Sequence, residues 1–359
     1  MKPALTAALA LSASSLAFAQ SNVTLSGALD LYLAHAKTGS SSWAKLQDGG
    51  RTASNITVRG REDLGGGVSA YFLLEAGVSP DTGEGTLPGP SLAFTRQSYM
   101  GLSGPWGQID LGRIYTPLFT TLFRGDPYGV NSVFSPLLLA FQVDAQSGLL
   151  GLAARTSNTI RYRTPAKMPF FADIAYAPGE ATKTEGASGS GDIYSAAFGW
   201  SSKPYFVAYA IQRSRSGTAA APVASPSTTT HQTISGAYDF NNNLQLYATY
   251  TVASASGVAL SGIGVPRSRT ASLGASYAVT PNSNLLLEAV QRKVSRTDRA
   301  QFAWTLGYDY NLSRRTSLYG RFLNLENRGD ASVSLAGVRV APNSGDEARV
   351  IAAGIRHTF

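Results

Sequence analysis

From residue 23 to the last residue, large apolar or aromatic side chains recur at every second position, in one segment after another. A period of two means β-strands with two unlike faces. Residues 302–312, FAWTLGYDYNL, are typical: Phe302, Trp304, Leu306, Tyr308 and Tyr310 share one parity, and Ala303, Thr305, Gly307, Asp309 and Asn311 take the other. Residues 23–33 repeat the pattern, with Val23, Leu25, Leu29, Leu31 and Leu33 against Thr24, Ser26, Asp30 and Tyr32. Past the first two dozen residues, no stretch approaches the ~18 consecutive apolar residues of a spanning helix.

About sixteen such segments follow one another, at 23–36, 55–63, 68–77, 92–102, 108–114, 158–164, 170–177, 192–201, 205–215, 232–240, 244–253, 269–278, 284–293, 301–312, 316–326 and 347–359. The connections alternate in length. Seven are tight and built on Gly, Pro or Asn, such as 64–67, 165–169 and 241–243. The others, among them 37–54, 78–91, 115–157, 178–191, 216–231, 254–268 and 327–346, are longer and rich in small or charged residues. An antiparallel meander whose two rims face different compartments has this rhythm. So many strands laid flat would leave two bare edges, and closure removes both. In a bilayer closure is compulsory, because hydrocarbon satisfies no free amide. A sixteen-strand cylinder is too wide for side chains to fill, so its interior is wet. The fold expected is all-β: a 16-stranded antiparallel transmembrane β-barrel, aromatic face toward lipid and small polar face toward a lumen. A soluble sandwich or propeller, its alternation aimed at a dry core, is the alternative.

The first residues follow another logic. Lys2, an uncharged run from Ala4 to Leu16 and Ala17-Phe18-Ala19 form a signal-peptide pattern. Residues 1–19 are therefore expected to be a leader and 20–359 the barrel, exported through the periplasm. Removing Lys2 lowers the formal charge of the whole chain, +8, by one. There is no cysteine and there are only three histidines, His35, His231 and His357. No G-x-S-x-G, H-E-x-x-H or phosphate-loop motif occurs, so no enzyme, metal site, cofactor or nucleic-acid partner is expected.

Four stretches together carry a resemblance: SNVTLSGALDLYL after the leader, ITVRGREDLGGGVSAYFLLE at 56–75, FTRQSYMGLSGPWGQIDLGRIYTP at 94–117, and the ending GIRHTF. In these the chain resembles the general trimeric porins of Gram-negative bacteria, on their β-proteobacterial branch. The resemblance implies a homotrimer in the outer membrane, in contact with lipid and lipopolysaccharide, that passes small hydrophilic solutes and ions by diffusion. It also implies a long third loop folded into the lumen as a constriction. The connection 115–157 has that place, and its Asp126-Pro127-Tyr128-Gly129 is similar to the family's constriction turn. Its apolar run Leu137-Leu138-Leu139-Ala140-Phe141 suits packing on the inner wall.

Parity points Arg59 and Arg61 inward beside Thr57, and Arg161 and Arg163 opposite Ile160 and Tyr162. Glu75 is inward by parity with Ser69 and Tyr71, where it is placed to pair with an arginine. By resemblance, Arg59, Arg96 and Arg161 form a basic cluster facing the third loop. Asp126 on that loop is then the opposing charge, and Arg124 beside it completes the candidate set. Arginine stays charged at any physiological pH, and rings of it favour anions. Anion-preferring passive diffusion is the reading; a solute-specific channel and an adhesin or structural barrel are the alternatives.

Overall fold

Alternation resolves into eighteen strands: β1 (Asn22–Thr38), β2 (Ser41–Asp48), β3 (Asn55–Gly65), β4 (Val68–Ser79), β5 (Glu84–Gly85), β6 (Gln97–Gly104), β7 (Gly107–Tyr115), β8 (Arg155–Arg163), β9 (Phe170–Ala177), β10 (Ile193–Ser202), β11 (Tyr205–Arg215), β12 (Thr228–Phe240), β13 (Leu244–Ser256), β14 (Arg267–Thr280), β15 (Ser283–Val294), β16 (Ala300–Asn311), β17 (Thr316–Arg328) and β18 (Glu347–Thr358). The structure, a computed structural model, describes residues 22–86, 92–142, 149–180, 189–218, 221, 223, 226–241, 243–256, 267–334 and 344–359. The expected leader at 1–19 lies outside the described residues, as do parts of the expected loop at 216–231 and most of that at 254–268.

Each strand pairs antiparallel with its neighbours, and β1 closes the ring on β18 from Ala28↔Thr358 to Thr38↔Ala348. With β2 and β5 set aside, sixteen strands make the wall. The wall inverts the burial rule of a water-soluble domain. On β16, Leu306 and Tyr308 are over 40% exposed while Ala303 and Thr305 are fully buried. Leu25, Leu111, Ile160, Val207, Leu273 and Ile351 are likewise exposed on other strands. Aromatic rings gather where strands meet the short turns. Phe170 and Trp200 lie 4.5 Å apart, and Tyr205 and Tyr238 lie 5.0 Å apart. Such a belt marks the interfacial end of a membrane cylinder.

At the seam, the Gly27 and Phe359 amides each donate to the other's carbonyl oxygen at 3.2 Å. A Cβ on Gly27 would lie 2.5 Å from the Phe359 ring and from the Asn55 carbonyl oxygen, so glycine is the residue that lets the ring lie flat on the wall there.

Two stretches depart from the expected strand map. Residues 92–95, expected in the fourth strand, precede β6, which starts at Gln97; Arg96 stands just before it, its amide donating to the Glu75 carbonyl oxygen at 3.1 Å. The expected connection 37–54 contains β2. This strand pairs with the upper part of β1, and β3 pairs with the lower part. The two are one wall strand interrupted by an insertion at 49–54. Asp30 of β1 fastens the insertion: its Oδ2 accepts the Arg51 and Thr52 amides at 2.8 and 2.7 Å, and its own amide donates to Ser54 Oγ at 2.9 Å.

The connection between β7 and β8 opens with a helix, α1 (Pro117–Arg124). Thr116 caps it, accepting from the Phe119 amide at 3.2 Å, and Pro117 takes the first turn, where its missing N–H is no loss. The helix packs on β10, β11 and β12, and the Leu118 amide donates to Ser195 Oγ. A 3₁₀ turn at Pro136–Phe141 packs on β14, β15 and β16. Leu118, Leu122, Phe134, Leu137 and Leu139 are fully buried in one cluster with Val290, Ala303, Leu323 and Leu325 of the wall. The inner face is thus apolar where the connection rests on it, and each buried leucine contributes about 1.5–3 kcal/mol.

Candidate functional site

Asp126, just after α1, organises the tip of the connection. Its carboxylate accepts the Tyr128 amide at 2.7 Å, the Val130 amide at 2.6 Å and the Ser135 hydroxyl at 2.6 Å. Tyr128 then reaches the far wall, its hydroxyl donating toward the carbonyl oxygens of Thr305 at 2.9 Å and Leu286 at 3.1 Å. Small inward residues make this approach possible: a Cβ on Gly307 would lie 3.0 Å from the Tyr128 hydroxyl, and one on Gly274 2.8 Å from Pro127. Asn131 ties the connection to the insertion, its Nδ2 donating to the Gly49 carbonyl oxygen at 2.8 Å. The structure therefore places Asp126 apart from the arginines, buried and spent on its own turn rather than set across an opening. Burial pushes its carboxyl above the ordinary range, against the pull of the Ser135, Tyr128 and Val130 donors.

The other candidates stand on or beside β3, β4, β6, β7, β8 and β9. Arg96 Nε lies 2.6 Å from Glu75 Oε1, and Gln97 holds the other Glu75 oxygen at 2.7 Å. Arg96 also donates to the Tyr115 hydroxyl at 3.1 Å. Arg155 reaches the same hydroxyl, its guanidinium 4.2 Å from the centre of the Tyr115 ring. Tyr115 stacks on Phe119 of α1, so the connection and two arginines meet at one ring.

Arg161 is buried and matched. Both oxygens of Asp173 accept from it, and its Nη1 donates to the Tyr115 carbonyl oxygen at 2.8 Å. Arg163 pairs with Asp110 at 2.7 Å, and Asp110 also accepts from Tyr71 and Gln108. Both pairs run diagonally, because the register sets Arg163 opposite Asp173 and Arg161 opposite Asp110. Arg124, at the end of α1, donates to Ser201 Oγ at 2.6 Å and lies 3.9 Å from the Phe206 ring centre. Arg124, Arg161, Arg163, Asp173 and Phe206 line a cavity of about 230 Å³. Arg59 is exposed on β3 and makes no ion pair among the described residues; Arg61 donates to Ser69 Oγ at 2.9 Å.

Of these seven arginines, three pair with the carboxylates Glu75, Asp173 and Asp110. Arg59, Arg61, Arg124 and Arg155 make no ion pair among the described residues. Sequence reasoning missed Arg155, Tyr115, Asp110 and Asp173. Strand parity was a usable signal for the two aspartates; nothing local marked Arg155, which lay inside the assumed loop. Among the described residues no three His, Asp or Glu side chains group to hold a metal ion. His231, the last residue of the expected connection 216–231, is buried within β12.

The chain is similar along its length to known proteins. It is 28% identical to outer membrane porin protein 32 of Delftia acidovorans, covering all of both chains. It is 26% identical to an outer membrane porin of Bordetella pertussis, covering 87% of this chain and 84% of that one. Its structure superposes on an anion-selective porin from Comamonas acidovorans with a TM-score of 0.82 at 25% identity, covering 95% of this chain and all of the other. OmpT of Vibrio cholerae, solved in a trimer form, shares the fold at a TM-score of 0.69 and 13% identity, over 94% of this chain and 99% of that one. The family model of Gram-negative porins matches residues 4–330. By that match, and by the ring of strands that carries it, the chain belongs to the Gram-negative porins and forms a channel of the outer membrane.

Proposed function

We propose that the channel passes small hydrophilic solutes by diffusion and prefers anions, with the connection between β7 and β8 folded into the lumen as its constriction. The excess of arginines over carboxylates around Tyr115 carries this reading. A guanidinium in a narrow, weakly screened passage acts more strongly on a passing ion than one on an open surface. Arg59, Arg96 and Arg155 are the side chains we assign to selectivity, with Arg124 and Arg163 contributing along the cavity beneath α1. Arg161 and Glu75 act mainly through their partners, and Asp126 shapes the connection. The anion selectivity of the Comamonas protein supports the same reading. The porin family and its barrel support a channel rather than an enzyme.

We further propose that residues 1–19 are removed on export, that three barrels associate, and that the apolar belt meets lipid and lipopolysaccharide. The resemblance to the trimeric porins supports the association.

The test is the zero-current potential of single channels across a KCl gradient. Chloride preference is the expected result, and Arg59→Ala, Arg96→Ala and Arg155→Ala together move it toward potassium. Potassium preference in the unaltered protein overturns the proposal.

A further inference from the structure

A second basic group lies across the barrel from Tyr115, on the side of β1, β17 and β18. Arg51 of the 49–54 insertion, Arg356 of β18, and Arg314 and Arg315 of the turn after β16 line one cavity of about 510 Å³ at the short-turn rim. In this family's barrels that rim faces the periplasm.

Two of the four guanidiniums are held in place. Arg51 donates through Nη1 to Ser317 Oγ, and its Nε lies 3.2 Å from Asp309. Arg356 Nε donates to Thr52 Oγ1 at 2.8 Å. The insertion that carries Arg51 and Thr52 is itself fastened to Asp30, so these groups are positioned before any solute arrives.

Negative charge is scarce there. Asp309 is shared, since Arg321 also binds it at 2.6 Å. Asp30 is fully buried, its oxygens taken by the Arg51 and Thr52 amides and the Tyr319 hydroxyl. Arg314, Arg315 and Arg356 make no ion pair among the described residues.

We propose that this cavity is a second anion station, at the periplasmic mouth, which holds small solutes bearing a phosphate or more than one carboxylate. The proposal rests on the anion-preferring reading and adds a binding site to it. A planar guanidinium matches a carboxylate or phosphate edge with two parallel hydrogen bonds. Chloride meets one guanidinium at a time, whereas a divalent oxyanion spans two. The site thus discriminates by valence and shape, where the group around Tyr115 discriminates by sign. Its volume falls in the range of small-molecule sites.

The test uses full-length channels in a planar bilayer in KCl, with inorganic phosphate added to one chamber at a time. Phosphate on the short-turn side is expected to interrupt the chloride current in a concentration-dependent way. Arg314→Ser with Arg315→Ser, both in an exposed turn and clear of the wall, removes two guanidiniums and weakens that block about tenfold or more. Arg356→Ala weakens it further. Equal block of the unaltered and altered channels, or no block from either side, overturns the station. The KCl zero-current potential, read in the same membranes, keeps the two readings apart. Chloride preference without phosphate block removes the station alone, and potassium preference removes the anion-preferring function itself.

Discussion

A charge on the inner wall acts less on a passing ion the more fully a carboxylate matches it, and Arg161 and Arg155 show the two extremes. Arg161 is buried with both Asp173 oxygens against it, while Arg155 rests on an aromatic ring with no carboxylate among the described residues paired to it. Asp173→Asn keeps the side-chain shape but releases the Arg161 charge. The zero-current potential is expected to move further toward chloride. Removing one partner of a buried pair also costs about 3–5 kcal/mol, visible as a lower midpoint in urea. An unchanged potential would mean that Arg161 lies off the ion path. Parity along a strand told which arginines point inward. It could not tell which are neutralised, because that depends on register between strands, set here by the 164–169 turn and by diagonal contacts across it. The pairing of Arg163 with Asp110 rather than with Asp173 directly opposite is a fact of three dimensions only.

Among elements, the wall strands were legible because lipid and water enforce strict alternation on them. The insertion at 49–54 was not. β2 carries a weak apolar set, SSWAKLQD, so it merged with the surrounding glycine-rich segment into one assumed loop. The connection after β7 was recognisable by its length and its Asp-Pro-Tyr-Gly turn, but the burial of Asp126 left no mark in the sequence. That burial predicts a pH dependence. A carboxyl raised in the folded state keeps its proton better there than in the released connection. Its stabilising effect is therefore complete below the ordinary aspartate value of about 3.9, and is lost as pH rises from there through the raised one. Amide exchange at Tyr128 and Val130, whose N–H groups bond this carboxylate, should speed up over that window beyond its intrinsic pH dependence. With Asp126→Asn and Glu288→Gln, its hydrogen-bonded carboxyl neighbour, made together the excess should vanish. The same excess in the variant would locate the titration elsewhere.

At the scale of the whole molecule, closure is the event on which the other properties depend, and its seam, β1 on β18, ends at Gly27 and Phe359. The Gly27 and Phe359 main chains bond each other, and the Phe359 ring occupies the space a side chain at 27 would need. Gly27→Ala meets a carbonyl oxygen that cannot swing aside, so about 1–3 kcal/mol of stability is expected to be lost, the usual cost of overpacking. The temperature at which the folded band disappears in a detergent gel reads this directly. A variant as heat-resistant as the parent would show that the seam yields at no cost.

Tyr128 is anchored to the carbonyl oxygens of Thr305 and Leu286, main-chain atoms that no substitution in the wall removes. Where the tip of the connection rests is consequently set by main-chain acceptors and by the glycines at 274 and 307 that leave room for it, and the charge around Tyr115 by side chains elsewhere on the ring. The two traits can be tuned separately: the arginines around Tyr115 can be replaced while the connection stays where it is.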